Sequence, residues 1–154
     1  MFISQKNMYA LRAIFELAKH RGKGLIKISD IAQAQHIPLR FLEVILSQLK
    51  RSGLVESKRG YYGGYTLARS PEEIRVSDIL HFDQKQADNG DCIACLSRGV
   101  CPFKDDCAFL PMWQKVHTAV MEIYDSTTIS DLMRDRKEKE REKATTGDSS
   151  LNNR

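Results

Sequence analysis

The chain has 154 residues, 42% of them hydrophobic, and a formal net charge of +4, which is enough for one compact domain and too little for a second of full size. No run of about 18 apolar residues is present to span a bilayer, and the opening MFISQKNMYA lacks the basic-then-apolar layout of a secretory signal, so a cytoplasmic protein with no membrane partner is expected. Residues 1–70 carry twelve Lys/Arg against four Asp/Glu, a net of +8, and the remainder nets −4; a basic half suits a polyanion, with an uneven surface on an ordinary domain as the alternative.

From residue 4 to about 21, Leu11, Ile14, Phe15 and Ala18 recur at helical spacing until Gly22 and Gly24 close the segment. Ser29 is placed to cap a short second helix carrying Ile31 and Ala32, which stops near His36. Pro38 suits the first turn of a third helix reaching about residue 51, with Leu42, Ile45, Leu46 and Leu49 on one face and Arg40, Glu43, Val44, Ser47 and Arg51 on the other. Two short helices joined by a tight turn read as helix-turn-helix. Gly53 ends the third helix, and residues 54–58 and 65–68 read as two strands around the glycine-rich loop RGYYGG. Pro71 and a capping Ser77 then introduce a short helix over 76–82.

The expected fold class is therefore mainly α with a small β-hairpin wing: a winged helix-turn-helix over residues 1–82, followed by a long helix. Residues 83–106 show no period and hold Cys92, Cys95 and Cys101, with Cys107 just beyond. A loop of that length in a compact chain is usually functional or disordered. In a reducing cytosol, clustered thiols point to metal or redox chemistry rather than to structural disulfides. Within 107–133, Phe109, Met112, Val116, Ala119 and Ile123 repeat at spacings of three and four, the seam of a dimerisation helix; a helix packed on its own domain shows the same period. Residues 134–154, with the alternating charges RDRKEKEREK and a polar end, are expected to be a disordered tail.

Double-stranded DNA is the partner this layout suits, because the major groove admits a helix whose early residues read base edges. Leu39, Arg40, Glu43, Val44 and Ser47 stand in that position, Arg40 suited to guanine and Glu43 to a cytosine amino group. Lys58 and Arg59 flank the wing's glycine turn and suit a phosphate or the minor groove. Lys6, Lys50, Arg51 and Arg69 suit phosphates, and Tyr61, Tyr62 and Tyr65 read as hairpin packing. No small-molecule substrate and no catalytic set are indicated.

The segments MFISQKNMYALRAI, HIPLRFLEVILSQLKRSGLVES and KRGYYGGYTLARSPEEIRVSDIL, with the cysteine-containing loop, resemble the Rrf family of winged-helix, iron–sulfur-responsive repressors, the IscR/NsrR-like regulators, over about residues 1–133. The resemblance implies a homodimer whose long C-terminal helices cross, so that two recognition helices reach successive major grooves. It also implies an iron–sulfur cluster, 2Fe-2S or 4Fe-4S, on Cys95, Cys101 and Cys107. Some members add a histidine three residues after the third cysteine, where this chain has Leu110; others use an acidic residue near the N-terminus of the partner subunit, where it has Met8. Cys92 is the candidate fourth ligand, beside an open iron site, a small-molecule ligand or a carboxylate such as Asp91, and His117 reads as a surface or interface residue.

Three alternatives share these residues. Four thiolates suit zinc, although the spacing is unlike paired CxxC knuckles. A metal-free thiol switch is a second. The third, a thiol–disulfide oxidoreductase built on Cys92-Ile-Ala-Cys95, lacks the strand-to-helix context that lowers a thiol pKa in such enzymes.

Overall fold

The computed structural model describes residues 3–82 and 106–147. Helix α1 (Gln5–Lys19) starts where the Ser4 side chain accepts the amide of Asn7 at 3.1 Å, one of the donors a helix start leaves without a partner. Its buried stripe of Ala10, Ala13, Ile14 and Leu17 is the centre of the core. α2 (Ile28–Gln35) and α3 (Leu39–Arg51) both pack on it. The turn between them bends through His36, at φ +51°, while buried Ile37 returns its amide to Ala32 at 3.0 Å. Leu42, Ile45, Leu46 and Leu49 bury the α3 face that the sequence pattern assigned to the core.

β1 (Val55–Lys58) and β2 (Gly64–Leu67) pair antiparallel with Val55 opposite Leu67 and Lys58 opposite Gly64. An isolated bridge between Ile26 and Tyr65 adds a third extended segment to the hairpin. Gly64 is required there, since a Cβ would stand 2.6 Å from the Ile26 carbonyl oxygen, and a Cβ on Gly63 would collide with the carbonyl of Lys58. The same bridge corrects the expected cap at Ser29. It holds the chain extended up to Lys27, so α2 begins at Ile28, and Ser29 lies inside the helix donating to Asp30 at 3.1 Å.

α4 (Val76–Leu80) starts after Arg75, whose amide is taken by the Asp78 carboxylate at 3.1 Å. Ser77, expected as the cap, is instead buried within the helix, because Arg75 is held extended in a bridge to Thr128. α5 (Leu110–Ser126) lies against α4. The chain then breaks at Thr127–Thr128 and continues as α6 (Ile129–Gly147), so the region expected as one long helix is two. Thr128 and Asp131 cap α6 reciprocally, with Asp131 N donating to Thr128 Oγ1 at 3.1 Å and Thr128 N to Asp131 Oδ2 at 3.0 Å.

Residues 134–147, assigned from the sequence to a tail into which a helix could extend, continue α6. Ile129 is fully buried in the core, Leu132 and Met133 pack against it, and the Arg136 guanidinium stands 5.6 Å from the Phe15 ring centroid. That anchor supplies the costly helix nucleus, and pairs such as Arg136–Glu140 at 2.8 Å extend it.

Candidate nucleic-acid interface

The outward face of α3 carries Arg40, Glu43, Val44, Ser47 and Arg51, all exposed, with Leu39 exposed at the first turn. Burial of the opposite stripe leaves the helix little freedom to rotate, so these side chains point to solvent as a set. Phe41, 61% exposed, joins them. The sequence reading passed over Phe41 because it lies on the flank of the wheel, about 90° from the outward direction.

Lys58 and Arg59 are exposed at the end of β1. Lys50 is exposed, and its ammonium donates to Ser57 Oγ at 2.8 Å, which ties α3 to the wing. Tyr65 packs on the core as expected of a hairpin residue, but Tyr61 and Tyr62 are exposed and meet only edge-to-face, with centroids 5.0 Å apart. The Lys27 ammonium stands 5.5 Å from the Tyr61 centroid, which joins the wing tip to the start of α2. Lys27 was missed in the sequence; a cation directly before a short helix was the available signal. Lys6 lies 5.4 Å from the Phe82 centroid, and Arg69 is 3.9 Å from Asp78, so both face the protein as well as solvent.

Glu16 holds the helix-turn-helix from within. Only 2% exposed, it accepts from Lys19 at 2.8 Å and from Gln35 of α2 at 2.6 Å. Burial pushes its carboxyl up, and the hydrogen bonds from Lys19 and Gln35, with the charges of Lys19 and His20, outweigh this and hold it below the usual carboxylate range.

Cys107 sits just before α5, partly exposed, and its carbonyl accepts the amide of Leu110 at 3.1 Å. Cys92, Cys95 and Cys101 lie outside the described residues. The donor chemistry fits a cluster as far as thiols go, since iron–sulfur clusters are held by thiolates. Leu110 brings no donor atom, and Met8 only a neutral thioether. On α5, Phe109 at its cap, Met112, Val116, Ala119 and Ile123 are all exposed, and none of its residues is buried.

A helix-turn-helix whose second helix faces solvent beside a basic hairpin defines a winged-helix, DNA-binding transcriptional regulator, and not an enzyme. More particularly, the chain belongs to the Rrf2 family, described as an iron-dependent transcriptional regulator, which it matches over residues 3–135. It is 35% identical over 136 residues to the HTH-type transcriptional regulator CymR of Bacillus subtilis, spanning 86% of this chain and 89% of that one. The solved structure of CymR, described as the global cysteine regulator of that organism, superposes with a TM-score of 0.68 at 34% identity, covering 86% and 95% of the two chains. The HTH-type transcriptional regulator IscR of Pectobacterium carotovorum is 30% identical over 133 residues, 86% of this chain and 79% of the relative. The structure of T. potens IscR gives a TM-score of 0.71 at 33% identity over 88% of each chain. No described helix is long and apolar enough to cross a membrane.

Proposed function

We propose that this chain is a repressor that grips a near-palindromic operator as a homodimer, through α3 and the wing, with an iron–sulfur cluster setting its affinity. The observation that carries the reading is the solvent-facing set Arg40, Glu43, Val44 and Ser47 beside Lys58 and Arg59, in a fold whose α5 begins next to a cysteine. Arg40, Glu43 and Ser47 read base edges, with Leu39 at the helix start, while Arg51, Lys58 and Arg59 meet the backbone or minor groove. Lys50 acts by holding the wing against α3. Phe109, Met112, Val116, Ala119 and Ile123 form the seam between two copies of α5, which spaces the two recognition helices.

Cys95, Cys101 and Cys107 hold the cluster, and Cys92 supplies the fourth thiolate in place of the donor that Leu110 and Met8 lack. When bound, the cluster supplies a redox- and iron-sensitive crosslink of the loop. Cys107 transmits its state, because it leads into α5, which lies on α4, which in turn lies on α1 beneath α3. The affinity shift equals the difference in how the two loop states support that packing.

A second reading, metal-free thiol control, is favoured by the missing donor at Leu110 and by the likeness to a regulator described as a global cysteine regulator. Anaerobic reconstitution of the full chain, with visible absorbance, metal analysis and operator binding, separates the readings. Iron-dependent absorbance with a matching change in affinity supports the cluster. Zinc, or no metal together with peroxide-sensitive binding that dithiothreitol reverses, overturns it.

A further inference from the structure

A single exposed valine on a protein surface requires no explanation. The first two turns of α3, however, expose three large apolar side chains, Leu39, Phe41 and Val44, on an otherwise charged or polar surface. Val44, 55% exposed, lies near the middle of the outward face, one turn after Arg40 and one before Ser47. Phe41 is its i−3 neighbour and walls one side. The protein's own core makes no use of the valine's methyl groups, and valine is a poorer helix former than alanine, so neither packing nor propensity accounts for it there.

The surroundings define the occupant. Arg40 and Arg51 share the Val44 face, and Lys58 and Arg59 stand exposed at the end of the adjoining strand, four cations against two exposed carboxylates, Glu43 on this helix and Glu56 on the strand. An apolar protein surface meeting this patch would bury those cations without partners, whereas duplex DNA pairs them with phosphates. Within the major groove the prominent apolar group is the C5 methyl of thymine, and small apolar side chains are what read it.

We propose that Val44, flanked by Phe41, reads the 5-methyl group of a pyrimidine in each half-site. The contact makes affinity depend on thymine against uracil, and on 5-methylcytosine against cytosine, at that base. This inference rests on the proposed DNA-reading role of α3 and names the chemical group one of its side chains recognises. Val44 is then a specificity residue, separate from the polar contacts of Arg40, Glu43 and Ser47.

The test enriches binding sites from a randomised duplex pool with anaerobically purified full chain, then replaces each thymine singly by uracil. Loss of one buried methyl at the sensitive base is expected to weaken binding about four-fold. Val44→Ala, an exposed position where alanine favours the helix, is expected to bind with a similar salt dependence and to reduce that penalty to less than about 1.5-fold. Cytosine and 5-methylcytosine at the same base should differ in the same direction for the native chain and converge for the variant. Enrichment with no uracil penalty, or a penalty that persists in Val44→Ala, overturns the methyl contact while leaving DNA reading by α3 in place. Failure to enrich any sequence overturns both. A change in the sedimentation of the free protein on Val44→Ala marks the patch as a protein contact and also overturns the proposal.

Discussion

The amide of Ile129 donates to the carbonyl of Ile74 at 2.9 Å. Beside it, the amide of Val76 donates to Thr127 at 2.9 Å, and that of Ser130 to Pro71 at 3.1 Å. Together with the Arg75–Thr128 bridge, these bonds clasp the break between α5 and α6 onto the winged-helix domain. The end of α5 is thereby fixed to the body that carries α3, so a movement of α5 driven from Cys107 is constrained at the far end of the helix.

Ile129, fully buried at the start of α6, and Ile123, 61% exposed on α5, lie six residues apart and are expected to behave oppositely. Ile129→Ala leaves a cavity in the core and is expected to lower stability by about 2–5 kcal/mol in urea unfolding. Ile123→Ala is expected to leave the stability of the isolated protomer within about 0.5 kcal/mol. Equal losses at the two sites, in protein dilute enough to be monomeric, would contradict the placing of Ile129 in the core and Ile123 on the seam.

That contrast marks where the sequence was and was not legible. The buried face of α3 was readable because Leu42, Ile45, Leu46 and Leu49 keep one period, and the wing because Gly63 and Gly64 sit where any side chain would collide. The break at Thr127–Thr128 was not readable. Its cause is a bridge between Thr128 and Arg75, a partner more than fifty residues earlier. The helical run from 134 to 147 was only weakly legible for a similar reason: its own residues are charged, and the anchor that nucleates it is Ile129 upstream. Exposure along α3 is visible in the fold, whereas the assignments of Cys92, Cys95 and Cys101 come from residue type and from the resemblance to the family's cysteine loop.

The seam on α5 has its own test. Ile123→Glu or Val116→Glu places a carboxylate where the proposed dimer buries apolar surface, at positions exposed in the protomer. Both variants should keep their far-UV circular dichroism and sediment as monomers at concentrations where the native chain is dimeric. Operator affinity should fall by about a hundredfold or more, because two linked half-site contacts become independent. A native chain that sediments as a monomer would refute the seam outright.

Wing and recognition helix should separate by salt and by sequence. Arg59→Ala removes a cation proposed to meet DNA without reading a base in full, so it should weaken binding to all sequences and flatten the slope of log affinity against log salt by about one. Arg40→Ala is expected to cost about 1–3 kcal/mol on the enriched operator and much less on random duplex. Fluorescence anisotropy at several salt concentrations checks both. A sequence-independent effect from Arg40 would place it on the backbone.

Glu16 links α1 to α2 beneath the interface, and the direction of its pKa shift fixes how that link responds to acid. Its carboxyl ionises more readily in the folded chain than in the unfolded one, despite burial, because Lys19 and Gln35 hydrogen-bond the carboxylate and His20 lies 3.5 Å away. The unfolded state therefore binds more protons in this range, and stability rises with pH. The contribution is complete above the unfolded pKa of about 4.3 and is lost as pH falls through the lower folded value. Glu16→Gln removes the titrating group while keeping a similar shape, and leaves Lys19 without its carboxylate. We expect it to cost about 1–3 kcal/mol near neutral pH, where the native group is ionised. The gap between variant and native chain should narrow as pH falls below the unfolded value, where the carboxyl protonates in the unfolded chain before it does in the folded one. Urea midpoints at several pH values measure this directly. A gap that stays constant with pH would show that Glu16 contributes through packing, and one that widens in acid would show that the carboxyl is held protonated by burial.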